Sequence, residues 1–458
     1  MMTMKTPSFF RFSSIAISIC CLYCMSAFAQ TTWTLDQCID YASSHSIDLM
    51  KQQEIIATDE VNVAMSRKSF LPTVTAQIDN SLSFNHQLIS GIYPDLLTMF
   101  NAPSSSSMYA LLAEIEISVP LYDGGHRKAR IEHDKAQLHS SQLGKENIII
   151  DLKVAIAQAY LQVLYLKELA DIMASHVTFY QDMQQRIEKM IRAGVGKEID
   201  LKQNQSKLAD ARYQEVLIDN DIRDNTLRLA QLVGLENSDS LVLADSSLST
   251  MMKLQQPSLH VLSESQQIDS HPMIASQQAM VKASATDIRL AKSKMMPQVS
   301  LFAGLGTTAM QFFDRTSRNR MYSIGRQMSE YFSPVIGLHV SIPIYSAGQI
   351  SGNIRKAEHA QNLQQMVLES ERQQLNATIQ KAQNNIISAY QKYQATADVV
   401  EACKASVDAT RYSYEAGRST MHDVSQSNLA YQEAQKNLLQ CQYEYLMACK
   451  VLNYYLIR

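Results

Sequence analysis

The longest uninterrupted helical pattern in this chain of 458 residues is too long for a globular domain to contain. Between His126 and Ala193 no proline occurs, and apolar residues recur every three or four positions from Ile148 to Val177. At ~1.5 Å per residue, a helix over this stretch would be roughly 100 Å long. A second proline-free stretch, residues 349–416, has the same length. The chain is therefore expected to build an elongated helical structure.

The chain also repeats itself at an offset of about 223 residues. The phrase VPLYDGG at 119–125 returns as IPIYSAG at 342–348, and FLPTV at 70–74 returns as MMPQV at 295–299, an offset of 225. A short period would indicate a solenoid, whereas two copies of about 200 residues indicate an internally duplicated chain.

Further correspondences fix the limits of the two copies. The Ala-Gly pair at 193–194 corresponds to 416–417, and Asp200 corresponds to Asp423. The sequence therefore predicts a first repeat at 30–236, an inter-repeat linker at 237–265 and a second repeat at 266–458. Each repeat is expected to contain a helix, two strands and a long helical hairpin.

The first 29 residues have the features of a signal peptide. Lys5 and Arg11 precede an apolar run, and Ala27-Phe28-Ala29 fits the small-x-small rule for cleavage. No cysteine of this leader follows the small residues that a lipoprotein signal peptidase requires, so we do not expect lipidation. Without Lys5 and Arg11 the chain has 39 basic and 44 acidic residues, a net charge of −5 that does not favour a nucleic-acid partner.

Between the helical segments the hydrophobic period changes to two. In the segment 108–120, Ile115 and Ile117 share one face, while Glu114 and Glu116 share the other. Glutamates on both sides of an apolar position suit a membrane strand that faces a wet interior better than a core strand. Weaker alternation marks three further segments, at about 72–84, 297–309 and 333–345.

These four segments predict how the chain enters a membrane. Each has about 12 residues, enough for the ~9 to 11 of a tilted transmembrane strand, and nothing after the leader approaches the ~18 consecutive apolar residues of a spanning helix. Four strands cannot close a barrel, and unpaired edge groups in hydrocarbon cost several kcal/mol each. We therefore expect an α+β membrane protein in which three chains pool a twelve-stranded β-barrel, continued by a long α-helical tube that leads away from the membrane.

The repeated phrases contain residues suited to a change between strand and helix. A proline lacks the amide donor that a sheet requires, so it is expected where a strand stops or starts. Glycines allow the backbone to change direction, and tyrosines favour the membrane interface. Turns of a soluble α+β protein are the alternative, which the long helices disfavour. The joint residues are Pro72, Pro120, Tyr122, Gly124, Gly125, Pro297, Pro343, Tyr345 and Gly348.

With its duplicated halves, its paired joint phrases and its Ala-Gly turns followed by aspartate, the chain resembles the TolC family of trimeric outer-membrane efflux channels over essentially the whole mature length. The resemblance implies a homotrimer in the lipid of the bacterial outer membrane, with a tunnel extending into the periplasm. It also implies docking to a periplasmic adaptor (membrane fusion) protein and to an inner-membrane pump or exporter.

The resemblance further implies a gate at the periplasmic tip. In the family, aspartates project there from the return helix. Asp423 matches the first such position, while Gln426 occupies the second, so a single acidic ring is expected. The alternative for Asp423 is a solvated acid favoured by the helix dipole. The family's basic locking residue corresponds to Ser419, beside Arg418, and an Arg418–Asp200 pair is one substitute; a plain surface arginine is the other.

Three glycines are expected at the hairpin tips, namely Gly194, Gly196 and Gly417. They would end the helices as C-caps and, by the resemblance, form the tips offered to the adaptor.

The sequence contains none of the common catalytic signatures. H-E-x-x-H, a Walker glycine loop and G-x-S-x-G are absent, so we expect no enzyme activity, no cofactor and no metal site, and transport energy must come from a partner. The 23 methionines suit packing better than copper handling. The leading function is an exit duct of a tripartite efflux pump. A type I protein secretion duct and a non-conducting envelope scaffold or adhesin are the alternatives.

Overall fold

The computed structural model of the chain describes residues 32–84, 108–235, 241–244, 247–254, 266–313 and 322–456. The predicted signal peptide and most of the predicted linker lie outside the described residues. The elements are, in chain order, β1 (Thr32–Trp33), α1 (Leu35–His45), α2 (Ile47–Lys68), β2 (Thr73–Ser83), β3 (Met108–Tyr122), α3 (His126–Arg192), α4 (Glu198–Val233), β4 (Val242–Leu243), α5 (Leu248–Leu254), α6 (Gln266–Asp269), α7 (Pro272–Ser293), β5 (Gln298–Phe312), α8 (Ile324–Glu330), β6 (Ser333–Ser341), α9 (Gln349–Glu415) and α10 (Met421–Leu456).

The two long helices are present where the sequence predicts them. Both α3 and α9 have 67 residues, and each is followed by a return helix of 36 residues, α4 or α10. The single helix expected before the strands of the first repeat is instead divided into α1 and α2 at Ser46, whose ψ of 127° is extended. The Thr34–Gln37 capping box fixes the start of α1, because each side chain bonds the other residue's backbone amide.

The described residues divide into two compact units. One comprises the described residues within Met1–Gln53, Lys145–His271 and Arg372–Arg458, and the other comprises those within Glu54–Gly144 and Pro272–Glu371. The first unit, here called the helical unit, has its main core where α1, α3, α4 and α10 pack together. The fully or almost fully buried side chains of this core include Cys38, Ile156, Tyr160, Leu161, Leu229 and Leu446.

The apolar character of α3 is explained by this core. The helix contains an 18-residue window with a mean hydropathy of 1.5, which by length and composition is enough to span a membrane, although the sequence predicted no such helix after the leader. Ile156, Leu161 and Val163 of α3 are fully buried in the helical unit, so burial in protein accounts for their hydrophobicity.

Four cysteines follow the predicted signal peptide, and none of them forms a disulfide among the described residues. Cys38, Cys441 and Cys449 are buried and free, while Cys403 is free but partly exposed. Burial raises the pKa of the Cys38 thiol to about 11, so this group stays neutral and unreactive at ordinary pH.

The second unit, here called the sheet unit, contains one four-stranded antiparallel sheet in the order β2-β3-β5-β6. Opposite residues include Gln77 and Glu114 on the β2–β3 side, and Glu114 and Gly306 on the β3–β5 side. Both sides of β3 and β5 are therefore paired, while β2 and β6 each keep one edge without a neighbouring strand among the described residues.

The two faces of this sheet differ in polarity, because side chains alternate between faces along every strand. Asp79, Glu114, Glu116 and His339 share the polar face. The opposite face is apolar and exposed over all four strands, and its large side chains include Val74, Ile78, Ile115, Ile117, Leu305, Ile336, Leu338 and Val340.

A short helix covers the part of β5 that extends beyond β6. The pairing of β5 with β6 stops at Gly306, so among the described residues no strand lies beside 307–312 on that side. Gln327 of α8, almost fully buried, fills this position: its Oε1 accepts from Met310 N at 2.8 Å and its Nε2 donates to Met310 O at 2.8 Å. One amide side chain thereby replaces the backbone pair that a further strand would supply.

Candidate functional site

The two helical hairpins end in tight turns within the helical unit. In the first turn, Gly194 has a φ of +78°, and the Gly196 amide donates to Met190 O at 2.9 Å. In the second, Gly417 has a φ of +72° and donates to Tyr414 O at 2.9 Å. A side chain is strained at such positive φ values, so glycine is required for these helix ends.

Asp423 lies at the start of α10, and its carboxylate is held by Thr420. The amide and hydroxyl of Thr420 donate to Oδ2 of Asp423 at 2.9 and 2.8 Å, and Asp423 N donates back to the Thr420 hydroxyl at 3.3 Å. These hydrogen bonds lower the pKa of the Asp423 carboxyl, which is fully exposed. Asp423 is therefore an ionised member of a capping box.

The other predicted gate position shares a face with Asp423. Gln426 lies one helical turn further along α10, and both side chains are exposed. Met421 and Val424 lie on the opposite face and are fully buried. The start of α10 thus has one polar face that is free within a single chain, which is what a constriction formed by several chains requires.

The predicted pair between Arg418 and Asp200 is not formed. Arg418 is exposed and makes no ion pair within 4.0 Å in the part of the chain that the structure describes, and Ser419 donates to Thr410 O at 3.1 Å. Oδ2 of Asp200 instead accepts a hydrogen bond from the Tyr414 hydroxyl at 3.1 Å. The chain therefore joins Asp200 to α9 through a tyrosine rather than an arginine.

Tyr414 is the main functional candidate that sequence reasoning missed. Its side chain is buried with Met183, Ile187, Met421 and Val424, which come from α3 and α10. Burial and the nearby Asp200 carboxylate both raise the pKa of the Tyr414 hydroxyl, so it remains a donor. The one available signal was its position, three residues before the second hairpin glycine.

A second contact joins the same pair of hairpins. The Arg186 guanidinium of α3 forms an ion pair with the Glu415 carboxylate, the last residue of α9. Both side chains are partly exposed, so solvent and salt screen this pair, and the buried Tyr414–Asp200 bond is expected to contribute more.

Further from the tip, a polar contact buried in the helical unit joins α3 to α10. The amide nitrogen of Asn428 lies 3.2 Å from Nδ1 of His176, and both residues are almost fully buried. Burial lowers the pKa of His176, which favours the neutral imidazole. Within the first hairpin, the Asn204 side chain of α4 donates to Tyr180 O of α3 at 2.9 Å, whereas the His176–Asn428 contact joins one hairpin to the other. The hairpins are therefore joined by specific polar contacts as well as by apolar packing.

The strand-to-helix joints lie in the sheet unit. Pro72 and Pro297 directly precede β2 and β5, in the positions that the sequence predicted. The prediction that β3 stops at Pro120 was wrong: the strand continues to Tyr122 across a register shift. The residue skipped at this shift is Leu121, whereas Pro120 lies opposite Ser300. Among the described residues β2 pairs with β3 only as far as Ser118, so Pro120 has a neighbouring strand on one side alone, where a missing amide donor is tolerated.

The second joint differs from the first. β6 ends at Ser341, before Pro343, and the Tyr345 side chain is exposed. The glycines of both joints, Gly124, Gly125 and Gly348, have positive φ values.

Arg127 fastens the first joint and was not identified from the sequence. Its Nε donates to Oδ2 of Asp123 at 2.7 Å, and its Nη1 donates to the Pro120 carbonyl at 3.0 Å. The guanidinium also lies 4.8 Å from the centre of the Phe70 ring. This buried side chain therefore connects the end of β3, the start of α3 and the residues that precede β2.

Among the described residues, no group of three or more His, Cys, Asp or Glu side chains is placed to hold a metal ion. The features that stand out are thus the hairpin tips, the contacts between hairpins and the two-faced sheet, rather than a chemical centre.

Comparisons with known proteins agree with this geometry. The chain is 24% identical over 426 residues to the pyoverdine export outer membrane protein OpmQ of Pseudomonas putida, covering 91% of this chain and 84% of OpmQ. It is 21% identical to the outer membrane protein TolC of Vibrio cholerae, covering 84% and 82% of the two chains. It is also 23% identical to the alkaline protease secretion protein AprF of Pseudomonas aeruginosa, covering 67% and 61%.

A solved structure has the same fold. The outer membrane protein VceC of Vibrio cholerae superposes with a TM-score of 0.76 at 15% identity, covering 92% of this chain and 95% of that protein. The family model described as outer membrane efflux protein matches residues 39–235 and 265–455, most of the chain and one segment in each predicted repeat. The resemblance to TolC and the predicted outer-membrane location are thereby confirmed, and the chain belongs to the outer membrane efflux protein family.

Proposed function

We propose that three copies of this chain form the outer-membrane exit duct of a tripartite efflux pump, which passively conducts small toxic molecules across the periplasm and the outer membrane. The observation that carries the proposal is the two-faced sheet with an unpaired edge on β2 and on β6. An exposed apolar face suits lipid, and a face with Glu114 and Glu116 suits water.

Strand directions support closure by several copies. Because the four strands alternate in direction, β2 and β6 run antiparallel to each other. β6 of one copy and β2 of the next therefore have the correct relative direction for an antiparallel pair. Three copies would give twelve strands and leave no edge in the hydrocarbon.

The gate of this duct is proposed at the hairpin tips. Three Asp423 carboxylates around the axis would attract cations and narrow the passage. Gln426 would contribute a neutral ring one turn away. The Tyr414–Asp200 and Arg186–Glu415 contacts would hold the hairpins together in the closed state, and their loss would permit opening.

The tips are also the proposed docking surface for the adaptor and the inner-membrane pump. Gly194 and Gly196 shape the first turn, and Gly417 shapes the second. Val195 in the first turn and Ile199 at the start of α4 are exposed. Exposed apolar side chains at a hairpin tip suit contact with a partner protein. The duct itself would supply passage and no energy.

The cargo is proposed to be small molecules, because OpmQ is named for pyoverdine export. A type I secretion duct is the second candidate, supported by the similarity to AprF, which is named for alkaline protease secretion. A non-conducting scaffold is disfavoured, because it has no need for Glu114 and Glu116 opposite an apolar face.

A gene deletion separates these candidates. Deletion is expected to raise the accumulation of a cationic dye such as ethidium severalfold, to leave secreted proteins unchanged, and to be reversed by the wild-type gene. Loss of secreted proteins with normal dye accumulation would favour type I secretion. If neither changed, both duct functions would be contradicted and the scaffold favoured.

A further inference from the structure

We infer that β6 of one protomer pairs with β2 of the partner subunit in one defined register, with His339 opposite the partner subunit's Asp79. The inference rests on the proposed trimeric duct and specifies the contact that closes its wall.

The chain already contains one interface of this kind. The β3–β5 pair joins the second strand of the first repeat to the first strand of the second repeat. In this pair Glu116 lies opposite Gly304, and Ile117 lies opposite Ala303. After the register shift, Tyr122 lies opposite Val299.

The internal repeat transfers this register to the open edges. Second strands correspond at an offset of 223 and first strands at 225, as VPLYDGG/IPIYSAG and FLPTV/MMPQV show. Glu116 of the first repeat corresponds to His339 at the offset of 223, and Gly304 of the second repeat corresponds to Asp79 at the offset of 225. The Glu116–Gly304 pair therefore predicts His339 opposite Asp79 of the partner subunit. The Ile117–Ala303 pair becomes Val340 opposite the partner subunit's Ile78.

The polarity of the two strands agrees with this register, although polarity was not used to derive it. Val340, Ile336 and Ile342 meet Ile78, Leu82 and Ala76 of the partner subunit, all on the apolar face. Ser341 and His339 meet Gln77 and Asp79 of the partner subunit on the polar face. Two pairs are mixed, Leu338 with the partner subunit's Asn80 and Val335 with the partner subunit's Ser83. A shift by one residue would make most pairs mixed, because it places polar residues opposite apolar ones along most of the strand.

The same register explains why β6 is short. Ser341 is opposite Gln298, the first residue of β5, so within the described part of a single chain no strand lies beside residues 342–345. Ile344 and Tyr345 are 94% and 88% exposed. The equivalent residues of the first repeat, 119–122, are strand because β5 pairs with them. The first residues of the partner subunit's β2 would supply the missing neighbour.

Registers shifted by two residues would keep the same side chains on the same faces. The pattern of ionisable residues favours the inferred register over these shifted ones. Asp79, Glu114 and Glu116 are the acids of the four strands, which contain no lysine or arginine, and His339 is their one histidine. The inferred register brings this histidine beside an acid, where the imidazole N–H can donate a hydrogen bond to the carboxylate.

Cysteine cross-linking of the full-length protein tests the register. In a Cys403→Ser background, where the other three mature thiols are buried, Asp79→Cys with His339→Cys is expected to give covalent trimers on mild oxidation. Ile78→Cys with Val340→Cys tests the neighbouring pair. Hydrogen-bonded pairs and closer non-hydrogen-bonded pairs alternate along an antiparallel ladder, so one of the two cysteine pairs has the closer geometry.

Registers shifted by two residues keep the faces and provide the matched controls. His339→Cys with Gln77→Cys or with Ser81→Cys is expected to cross-link at least about fivefold less, because diagonal residues lie beyond disulfide reach. Glu116→Cys with Gly304→Cys gives the same geometry within one chain and serves as the positive control.

The outcomes separate the register from the trimer. Stronger cross-linking of a shifted pair, or none at either inferred pair in trimers verified by native mass spectrometry, would overturn the register. Absence of trimers in the wild-type protein would overturn the proposed duct as well. Charge reversal gives a second readout: His339→Glu should lower the trimer yield, and adding Asp79→Lys should restore it.

Discussion

The Tyr414 hydroxyl donates a hydrogen bond to Oδ2 of Asp200 across 3.1 Å, and it joins the end of α9 to the start of α4. Tyr414 is almost fully buried, whereas the neighbouring Arg186–Glu415 ion pair is partly exposed. The two hairpins are thus held at their tips by one buried and one screened contact. The proposed gate would therefore open when modest interactions are lost, without unfolding either hairpin.

Tyr414→Phe should shift the gate toward its open state. The change removes one hydrogen bond to a carboxylate and keeps the ring packing, a loss of about 1.5 to 3 kcal/mol, which corresponds to roughly 10-fold or more in the open-to-closed ratio. Open probability in planar bilayers measures the shift. Tyr412→Phe is the matched control, because Tyr412 lies two residues away and is exposed. An unchanged open probability in Tyr414→Phe would remove this bond from the gate.

His176 should make the contact between α3 and α10 sensitive to acid. Burial lowers its pKa, so protonation is disfavoured while the residue is packed. The stability that this neutral, packed imidazole contributes is fully present above the ordinary His pKa of about 6.5, and it is lost as the pH falls below that value.

Hydrogen exchange at pH 7.5 and 5.5 measures this effect. After correction for intrinsic rates, protection of residues 421–435 should fall in the wild type by up to about tenfold per pH unit below 6.5. The fall should be absent in His176→Gln and retained in His422→Gln, whose side chain is exposed. Equal pH dependence in all three proteins would assign the effect to other groups.

Arg127→Leu should destabilise the first strand-to-helix joint. The change leaves the largely buried Asp123 carboxylate and the Pro120 carbonyl without this partner, and breaking such a buried pair costs about 3 to 5 kcal/mol. The thermal transition of the detergent-solubilised protein should move several degrees lower. Lys128→Leu, at an exposed neighbouring position, should leave the transition in place. Similar shifts in both variants would argue against a specific role for Arg127.

Gln327→Leu should expose the edge of β5 that α8 covers. Without the amide, the Met310 N–H and carbonyl lose their partners, at about 1 to 3 kcal/mol for each unsatisfied buried group. Amide exchange at Met310 is expected to accelerate at least about tenfold. Ser329→Ala removes a hydroxyl whose bond lies within α8, and it should change nothing at Met310. Unaltered exchange in Gln327→Leu would show that another group protects the edge.

Features determined locally were predicted well from the sequence. The helix predicted from His126 to Ala193 is observed from His126 to Arg192, because periodicity and a terminal glycine fix its length. The break at Ser46 was missed because no proline or glycine marks it. β3 passes Pro120 because, among the described residues, β2 ends opposite Ser118 and leaves one side of the proline without a neighbouring strand, which depends on the sheet rather than on the local sequence.

Contacts between distant residues were not predictable in the same way. Tyr414 and Asp200 are 214 positions apart, and Arg127 meets Ser69 O from 58 positions away. Neither pair follows a periodic pattern, so only the packing of the helices and the joint brings them together. The resemblance directed attention to a pair between Arg418 and Asp200, but in the structure Asp200 is hydrogen-bonded to Tyr414. Roles for Asp423, Gln426 and the hairpin glycines stay predictions.

Single-channel conductance in planar bilayers tests the gated duct most directly. Purified trimers are compared as wild type, Asp423→Asn and Thr420→Ala, with multivalent cations added from the tip side. Thr420→Ala breaks the capping box but keeps the carboxylate, so it separates charge from helix capping. Small openings that cations block in wild type and Thr420→Ala, but not in Asp423→Asn, are the expected result. Absence of conductance from correctly assembled trimers would contradict the duct, and equal block in all three proteins would contradict a gate at Asp423.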